Sequence, residues 1–471
     1  KISVIIITYL KYLIYYSEVI MKIVVIGDGK VGRTIVEHAS KEGHEIVIID
    51  KNPSVVEQIV NQYDVMGISG NGTIYDIQKS AGVDKADLVI AATSSDEVNI
   101  LSCIVAKNLG AKATMARVRN YEYNKQIHSM SKYLDITMTI NPELETANEI
   151  MNIINFPEAI RVDTFGEGRV DLVELYIPEN SPLAGLTLSA IHSKYQVQVL
   201  VCTVQRGEEV FIPDGNFRLQ AKDKIHISAK RSEVKTFLSK LGLIEEKIKN
   251  VLIIGGGKIS LYLAERLLKN KYNVKIIEKD YQRCLELADL LPDASIILGD
   301  GSDQELLLDE GIANIDAVVS LTNLDEENII ISMYANKQNA HKIITKINKT
   351  SLIGLVESLD MASVVSPKEL TASTIISYIR AKSNTRGSNV QTLYKLVNNQ
   401  VEALEFLVKE NSKIVDIPLK DLSIKRNILI AAIVREGQVM IPGGNSVIKA
   451  NDSVIVISHN HILDDLKDIL V

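Results

Sequence analysis

Six consecutive residues, Gly27-Asp28-Gly29-Lys30-Val31-Gly32, have the spacing G-x-G-x-x-G, which suits a phosphate chain. Gly27 permits a tight turn. Gly29 lets backbone N–H groups approach a pyrophosphate with no Cβ in the way, and Gly32 lets a following helix lie close on the preceding strand. The helix N-terminus then offers unpaired N–H donors and a partial positive charge. Eighteen residues beyond Gly32 stands Asp50, a carboxylate able to accept both ribose hydroxyls of an adenosine. It would repel a 2′-phosphate, so the chemistry is binding of NAD or ATP rather than NADP.

The motif alone arises by chance in many chains, so its weight rests on the flanking elements. Lys22 to Ile26 reads as a buried strand, Arg33 to Glu42 as a helix, and Glu45 to Asp50 as a second strand. Beyond Asp50 the pattern predicts a helix from Pro53 to Tyr63. Strands at Val65 to Ser69, Asp87 to Thr93, Ala113 to Val118 and Thr137 to Ile140 follow, then a helix opening at Asn141-Pro142-Glu143 and running through Ile154. Ser95 or Asp96 can cap the helix after the fourth strand. Alternating strands and helices predict a parallel sheet covered on both faces. Loops after such strands share the carboxyl edge, so Asn71, Thr93 and Arg117 are expected to face the same crevice as Gly29 and Asp50. Arg117 is either a phosphate partner or half of a surface ion pair.

Near Arg161 the character changes. Val170 to Ile177 alternates like a half-exposed strand, Pro182 to Leu188 marks a turn into a short helix, and Val197 to Gln205 with Glu209 to Ile212 flanks Arg206-Gly207-Glu208 as a hairpin. Asp223 precedes a last strand, Lys224 to Ser228. The whole arrangement then recurs. Gly255 follows Gly27 by 228 residues, Glu278 follows Asp50 by 228, and Gly299 follows Gly70 by 229; Lys346 follows Arg117 and Pro442 follows Pro213 by 229. Register held over five features is an internal duplication. The expected class is α/β: two Rossmann-like, doubly wound parallel-sheet domains, each followed by a small α+β domain. The expected bounds are 21–140 and 249–365 for the nucleotide folds, 141–160 and 366–387 for linker helices, and 161–245 and 388–471 for the small modules. The copies differ: Ser260 stands where the third glycine would be, and its Cβ is expected to push the helix slightly off the strand. The first copy is therefore expected to be the better NAD site.

Composition bounds the remainder. With 471 residues, 46% hydrophobic and 24% charged, the chain has ample material for several cores. A net charge of −7 argues against general nucleic-acid binding. Cys103, Cys202 and Cys284 are far apart and form no C-x-x-C, so neither a disulfide framework nor a zinc site is suggested. The eight scattered histidines are expected at the surface, and no metal site is expected. Residues 1–20 are apolar and tyrosine-rich, but Lys11 interrupts them, and they suit neither a spanning helix nor a signal peptide. They read as an N-terminal extension of translated upstream sequence rather than native chain, since Met21 lies one residue before the first strand; a membrane-associating tail is the minority reading.

Together the tandem glycine turns, the strand-two acids, the glycine pair after strand three, T-x-x-D-E-x-N at Thr93 to Asn99 and Thr322 to Asn328, and A-R-V resemble the KTN or RCK nucleotide-binding domain. The S-P-L-A-G-L-T-L opening and the I-P-D-G or I-P-G-G turn of the small modules resemble the RCK C-terminal domain. Two such pairs in one chain resemble the tandem RCK/KTN regulatory proteins of Trk potassium uptake. The resemblance implies a cytoplasmic gating subunit, peripheral at the inner membrane face, that docks on a TrkH-type potassium-translocating protein. It also implies rings that respond to NAD, NADH, ATP or ADP. Two nucleotide folds per chain suggest a tetramer with eight such domains. Carried over, the family's nucleotide contacts fall on Gly27, Asp28, Gly29, Lys30, Val31, Asp50, Asn71, Thr93, Ser94 and Arg117. In the repeat they fall on Gly255, Gly256, Gly257, Lys258, Ile259, Glu278, Asp300, Thr322 and Lys346.

Two rivals come from other classes. An NAD-dependent dehydrogenase needs a positioned acid or base, and Tyr121-x-x-x-Lys125 is the one tempting pair. Copy two has Thr350 and Gly354 in its stead, and no second candidate dyad is apparent, so no catalytic residue is assigned. A scaffold with empty pockets would have no need of the glycine turn together with Asp50.

Overall fold

Short apolar runs ending in glycine make the spine of the protein, because β-branched residues fit a pleated interior and glycine ends the strand in a turn. The computed structural model describes residues 20–156, 161–166, 168–242, 248–358, 362–383, 390–397, 400–410, 412–461, 463 and 465–471. The extension at 1–19 lies outside them. Contacts divide the chain into two units: the nucleotide folds, up to Ile154 and over Ile248–Ile376, form one, and Asn155–Lys247 with Ser377–Val471 form the other.

In the first unit, strands β1 (Lys22–Ile26), β2 (Glu45–Asp50), β3 (Met66–Ser69), β4 (Leu88–Ala91), β5 (Ala113–Arg117) and β6 (Met138–Ile140) build a parallel sheet in the order 3-2-1-4-5-6. This is the doubly wound order whose reversal beside β1 opens a crevice at the carboxyl ends of β1 and β4. The repeat is built likewise from its own six strands, β12 to β17: β12 (Asn250–Ile254), β13 (Asn273–Glu278), β14 (Ser295–Leu298), β15 (Ala317–Ser320), β16 (Lys342–Lys346) and β17 (Ser363–Val365). Strands β1, β4, β12 and β15 are buried almost throughout, as strands covered on both faces must be.

Each long helix after a sixth strand crosses to the other copy. Ala147, Ile150, Met151 and Ile154 of the Pro142–Asn155 helix join the core of the second sheet. Asn141 donates to the Tyr262 hydroxyl at 3.0 Å, and Tyr121 packs on the Tyr262 ring. In return, Glu369 of the Pro367–Ser383 helix lies 3.7 Å from His38 on the first glycine helix. Where the two long helices meet, Thr374 donates to Glu145 at 3.3 Å.

The second unit holds two antiparallel five-stranded sheets. One consists of β7 (Arg161–Phe165), β8 (Val170–Tyr176), β9 (Leu200–Arg206), β10 (Glu209–Phe211) and β11 (Lys224–Ala229); the other is β18 (Val390–Leu396), β19 (Val401–Leu407), β20 (Ile428–Arg435), β21 (Gln438–Met440) and β22 (Ser453–His459). They share a core in which Phe165, Leu172 and Cys202 meet Ala403, Ala431 and Ile457. That contact corrects the half-exposed reading of Val170 to Ile177: β8 is buried along most of its length, covered on one face by the partner sheet. In each module an arginine closes the hairpin on a buried aspartate, Arg206 on Asp223 and Arg435 on Asp452, both at 2.8 Å. The histidines are not all superficial, since His44 and His226 are buried.

Candidate nucleotide site

The glycine turn follows β1. Gly27 has φ +98°, its N–H donates to the Ile49 carbonyl at 2.8 Å, and a Cβ there would strike Thr93. At Gly32 a Cβ would run into the Gly27 oxygen, so the Lys30–Lys41 helix is pressed against the turn. The middle glycine behaves differently. A Cβ at Gly29 would meet only the Ala92 oxygen, at an ordinary 3.5 Å, and one at Gly257 would meet nothing within 4 Å. Packing does not require these glycines. Both are N-caps without a side-chain cap, so each leaves the first N–H groups of its helix open to a ligand.

The acids are strapped across the turns. Asp50 accepts from the N–H of Asp28 at 2.8 Å with one oxygen and from Asn52 at 2.9 Å with the other. Glu278 does the same for Gly256 at 2.6 Å and Asp280 at 2.8 Å. A carboxylate oxygen has a second lone pair, so each remains able to receive a ribose hydroxyl. In copy one the loop residue itself is acidic. The Asp28 side chain is buried against Arg33, with Nη2 to Oδ2 at 2.6 Å; burial raises its carboxyl above the ordinary range and Arg33 pulls it back. Copy two has Gly256 there, and a cleft of about 290 Å³ is lined by Gly255, Gly257, Glu278, Asp300 and Thr322.

Other expected residues turn out to shape loops. Asn71 accepts from Thr73 N–H and Oγ1 at 3.1 and 3.0 Å, and Asp300 from Ser302 N–H and Oγ at 2.9 and 2.7 Å. Those bonds hold the Asp300 carboxyl below its usual range. Gly72 and Gly301 serve packing, since a Cβ would run into Ile26 and Ile254 respectively. Ser94 lends its carbonyl to Arg119 at 3.0 Å. Val31 and Ile259 are buried, and the side chains of Lys30 and Lys125 lie outside the described residues. Ser260 is accommodated by turning its hydroxyl onto the Gly255 carbonyl. No such fit exists at Gly32, so turn and helix are spaced differently in the two copies.

Sequence reasoning missed the residues that position the strand-five cations. Asn99, fully buried, accepts from Thr93 N–H at 2.8 Å and Oγ1 at 2.7 Å and donates to the Arg117 carbonyl at 2.9 Å. Asn328 repeats this with Thr322 and Lys346. Asp96 takes the N–H groups of Arg119 and Asn120, as Asp325 takes those of Asn348 and Lys349. T-x-x-D-E-x-N is therefore a clip from the strand-four loop to the end of strand five, repeated at 229-residue spacing. Arg117 and Lys346 themselves line a second cleft, of about 270 Å³, together with Lys258 and Ile259. Burial, with Arg119 nearby, lowers the Arg117 guanidinium below its ordinary value.

Among the described residues no group of three or more His, Cys, Asp or Glu is placed to hold a metal ion, and no helix is long and apolar enough to cross a membrane. The TrkA-N domain family matches residues 23–142 and 251–367, and the TrkA-C domain family matches 172–242 and 403–471. The chain is 31% identical over 440 residues to the Trk system potassium uptake protein TrkA of Vibrio alginolyticus, covering 93% of this chain and 95% of that protein. It is 32% identical over 446 residues to TrkA homolog 1 of Methanosarcina mazei, covering 93% and 97%. Among solved structures it is similar to the GsuK channel bound to NAD, with a TM-score of 0.62 at 16% identity, over 94% of this chain and 77% of that one.

Proposed function

The chain belongs to the TrkA family, with TrkA-N and TrkA-C domains in tandem, and on that premise we propose that it is the nucleotide-sensing regulatory subunit of a Trk-type potassium uptake system. One observation carries the reading: Gly29 and Gly257 are bare where the fold has room for a side chain, and each stands at the open N-terminus of a helix. The fit to an adenine nucleotide such as NAD, NADH, ATP or ADP follows. The turns Gly27 to Val31 and Gly255 to Ile259 would receive the phosphates, and Asp50 and Glu278 the ribose hydroxyls. Asn71, Thr93, Ser94, Asp300 and Thr322 would shape the crevices, and Arg117 and Lys346 would meet negative charge. The Trk relatives and the NAD-bound channel support this assignment.

The action is a shift of population. A nucleotide favours one arrangement of the two nucleotide folds only by its differential affinity, and about 1–3 kcal/mol is usual for such coupling. The crossing helices Pro142–Asn155 and Pro367–Ser383 join each cradle to the other copy. The chain would act at the cytoplasmic face on a TrkH-type membrane subunit, as a tetrameric ring of eight nucleotide folds. The division into nucleotide folds, linker helices and small modules belongs to the same proposal. Catalysis is not part of it: Tyr121, the one candidate acid, packs on Tyr262. The test is potassium flux through the reconstituted membrane subunit with and without this chain. Nucleotide-dependent flux without coenzyme turnover is expected; turnover of NADH against a metabolite by the chain alone would overturn the proposal.

A further inference from the structure

The cleft lined by Arg117 and Lys346 draws on both copies. Val31, Arg117 and Glu143 come from the first; Gly257, Lys258, Lys346 and Lys368 come from the second. Arg117 and Lys346 occupy the same position of the two repeats, yet they share one space. Lys346 is only 7% exposed, with Nζ reaching the Leu321 carbonyl at 3.4 Å. The Nε of Arg117 is buried with no hydrogen-bond partner among the described residues. Glu143 is a carboxylate of the lining, and Arg119 stands 3.8 Å from it. Like charges converging in a partly dry space repel and are costly to bury without a counter-ion. The open N-terminus of the Lys258–Lys269 helix adds to the positive potential.

The nucleotide cleft of copy two adjoins this space, sharing Gly257, Leu321 and Asn323 with it. A ligand whose ribose lies at Glu278 and whose first phosphates lie at Gly257 therefore points its far end at four cations. The nicotinamide of NAD⁺, itself positive, is repelled there; a further phosphate is attracted. We propose that both copies build a phosphate pocket that takes the outer phosphate of a nucleoside triphosphate seated in the second cleft, with Arg117 serving the ligand of copy two. This rests on the reading of that cleft as a nucleotide site.

The test is calorimetric, on the full chain carrying Gly29→Val to obstruct the first cradle, titrated with ADP, ATP, NAD⁺ and inorganic phosphate. ATP should bind tighter than ADP by about tenfold or more, the size of a charge-assisted contact. The ratio should fall to about threefold or less in Arg117→Gln and Lys346→Met. Lys258→Met, at an exposed position, should also lower it and does not endanger folding. Equal binding of ATP and ADP, or a preference that survives all three substitutions, refutes the pocket. Inorganic phosphate binding as tightly as ATP assigns the cavity to a free ion and refutes the triphosphate. Failure of ADP to bind at all refutes the nucleotide reading beneath, and the pocket with it.

Discussion

Replacing Asp50 by alanine separates the two roles its carboxylate holds. In the fold it accepts two backbone N–H groups, a partly buried one from Asp28 and an exposed one from Asn52. Hydrogen bonds to a charged group contribute about 1.5–3 kcal/mol when sheltered and less when wet. The expected loss of stability without ligand is therefore about 2–4 kcal/mol, read from urea denaturation. In the ligand complex the same oxygens receive ribose hydroxyls, so adenine-nucleotide affinity at the first cradle should fall by more than about tenfold, or ~1.4 kcal/mol. The milder Asp50→Asn substitution keeps one acceptor oxygen and should recover part of the stability, while turning an amide donor toward the ribose. The decisive comparison is calorimetry on chain carrying Gly257→Val, so that only the first cradle reports. If Asp50→Ala loses stability but binds NAD and ATP as before, the acid is a strut of the turn and its assignment to the ribose is wrong.

Other substitutions test the geometry around the site. Gly32→Ala forces a Cβ into the Gly27 oxygen and should cost about 3 kcal/mol. Ser260→Ala, where a side chain already fits, loses one hydrogen bond and about 1 kcal/mol; equal urea midpoints for the two variants would contradict the close packing at Gly32. Glu145, buried between the long helices with Thr374, has its carboxyl pushed up to about 7 by burial. Because the folded value lies above the unfolded one, its contribution is complete below the ordinary carboxylate range and is lost as pH rises through 7. Wild type should lose about 2 kcal/mol relative to Glu145→Gln between pH 5 and 8, and parallel pH profiles would contradict this. Arg206→Ala strands the buried Asp223 carboxylate and should cost about 3 kcal/mol, read from the denaturation midpoint; an unchanged midpoint would contradict the pairing.

What could be read from the sequence is what the chain writes locally. A glycine turn between two apolar runs and an acid at the tip of the second strand are decided within thirty residues. A duplication at constant offset extends the same reading to the repeat. Long-range roles are silent in such patterns. Asn99 is one polar residue on a helix until the fold brings Thr93 and the Arg117 carbonyl to its two amide ends. The meeting of Arg117 with Lys346 depends on which faces of the copies pack together, and an offset of 229 residues says nothing of that. The alternation in Val170 to Tyr176 suggests a wet face, but the partner sheet covers it. The glycines after β3 and β14 read as ligand loops, yet Ile26 and Ile254 leave no space for a Cβ. Gly29 and Gly257 are the converse: only the empty space around them marks a demand that folding does not make.

That space also supplies the most direct trial of the account. Titration of the purified chain with an adenine nucleotide should reach two molecules per chain, and Gly29→Val and Gly257→Val should each remove one while leaving the melting temperature of the free protein close to wild type. A doubly substituted chain that still binds two nucleotides with undiminished affinity would contradict the claim that these helix ends are the sensing cradles.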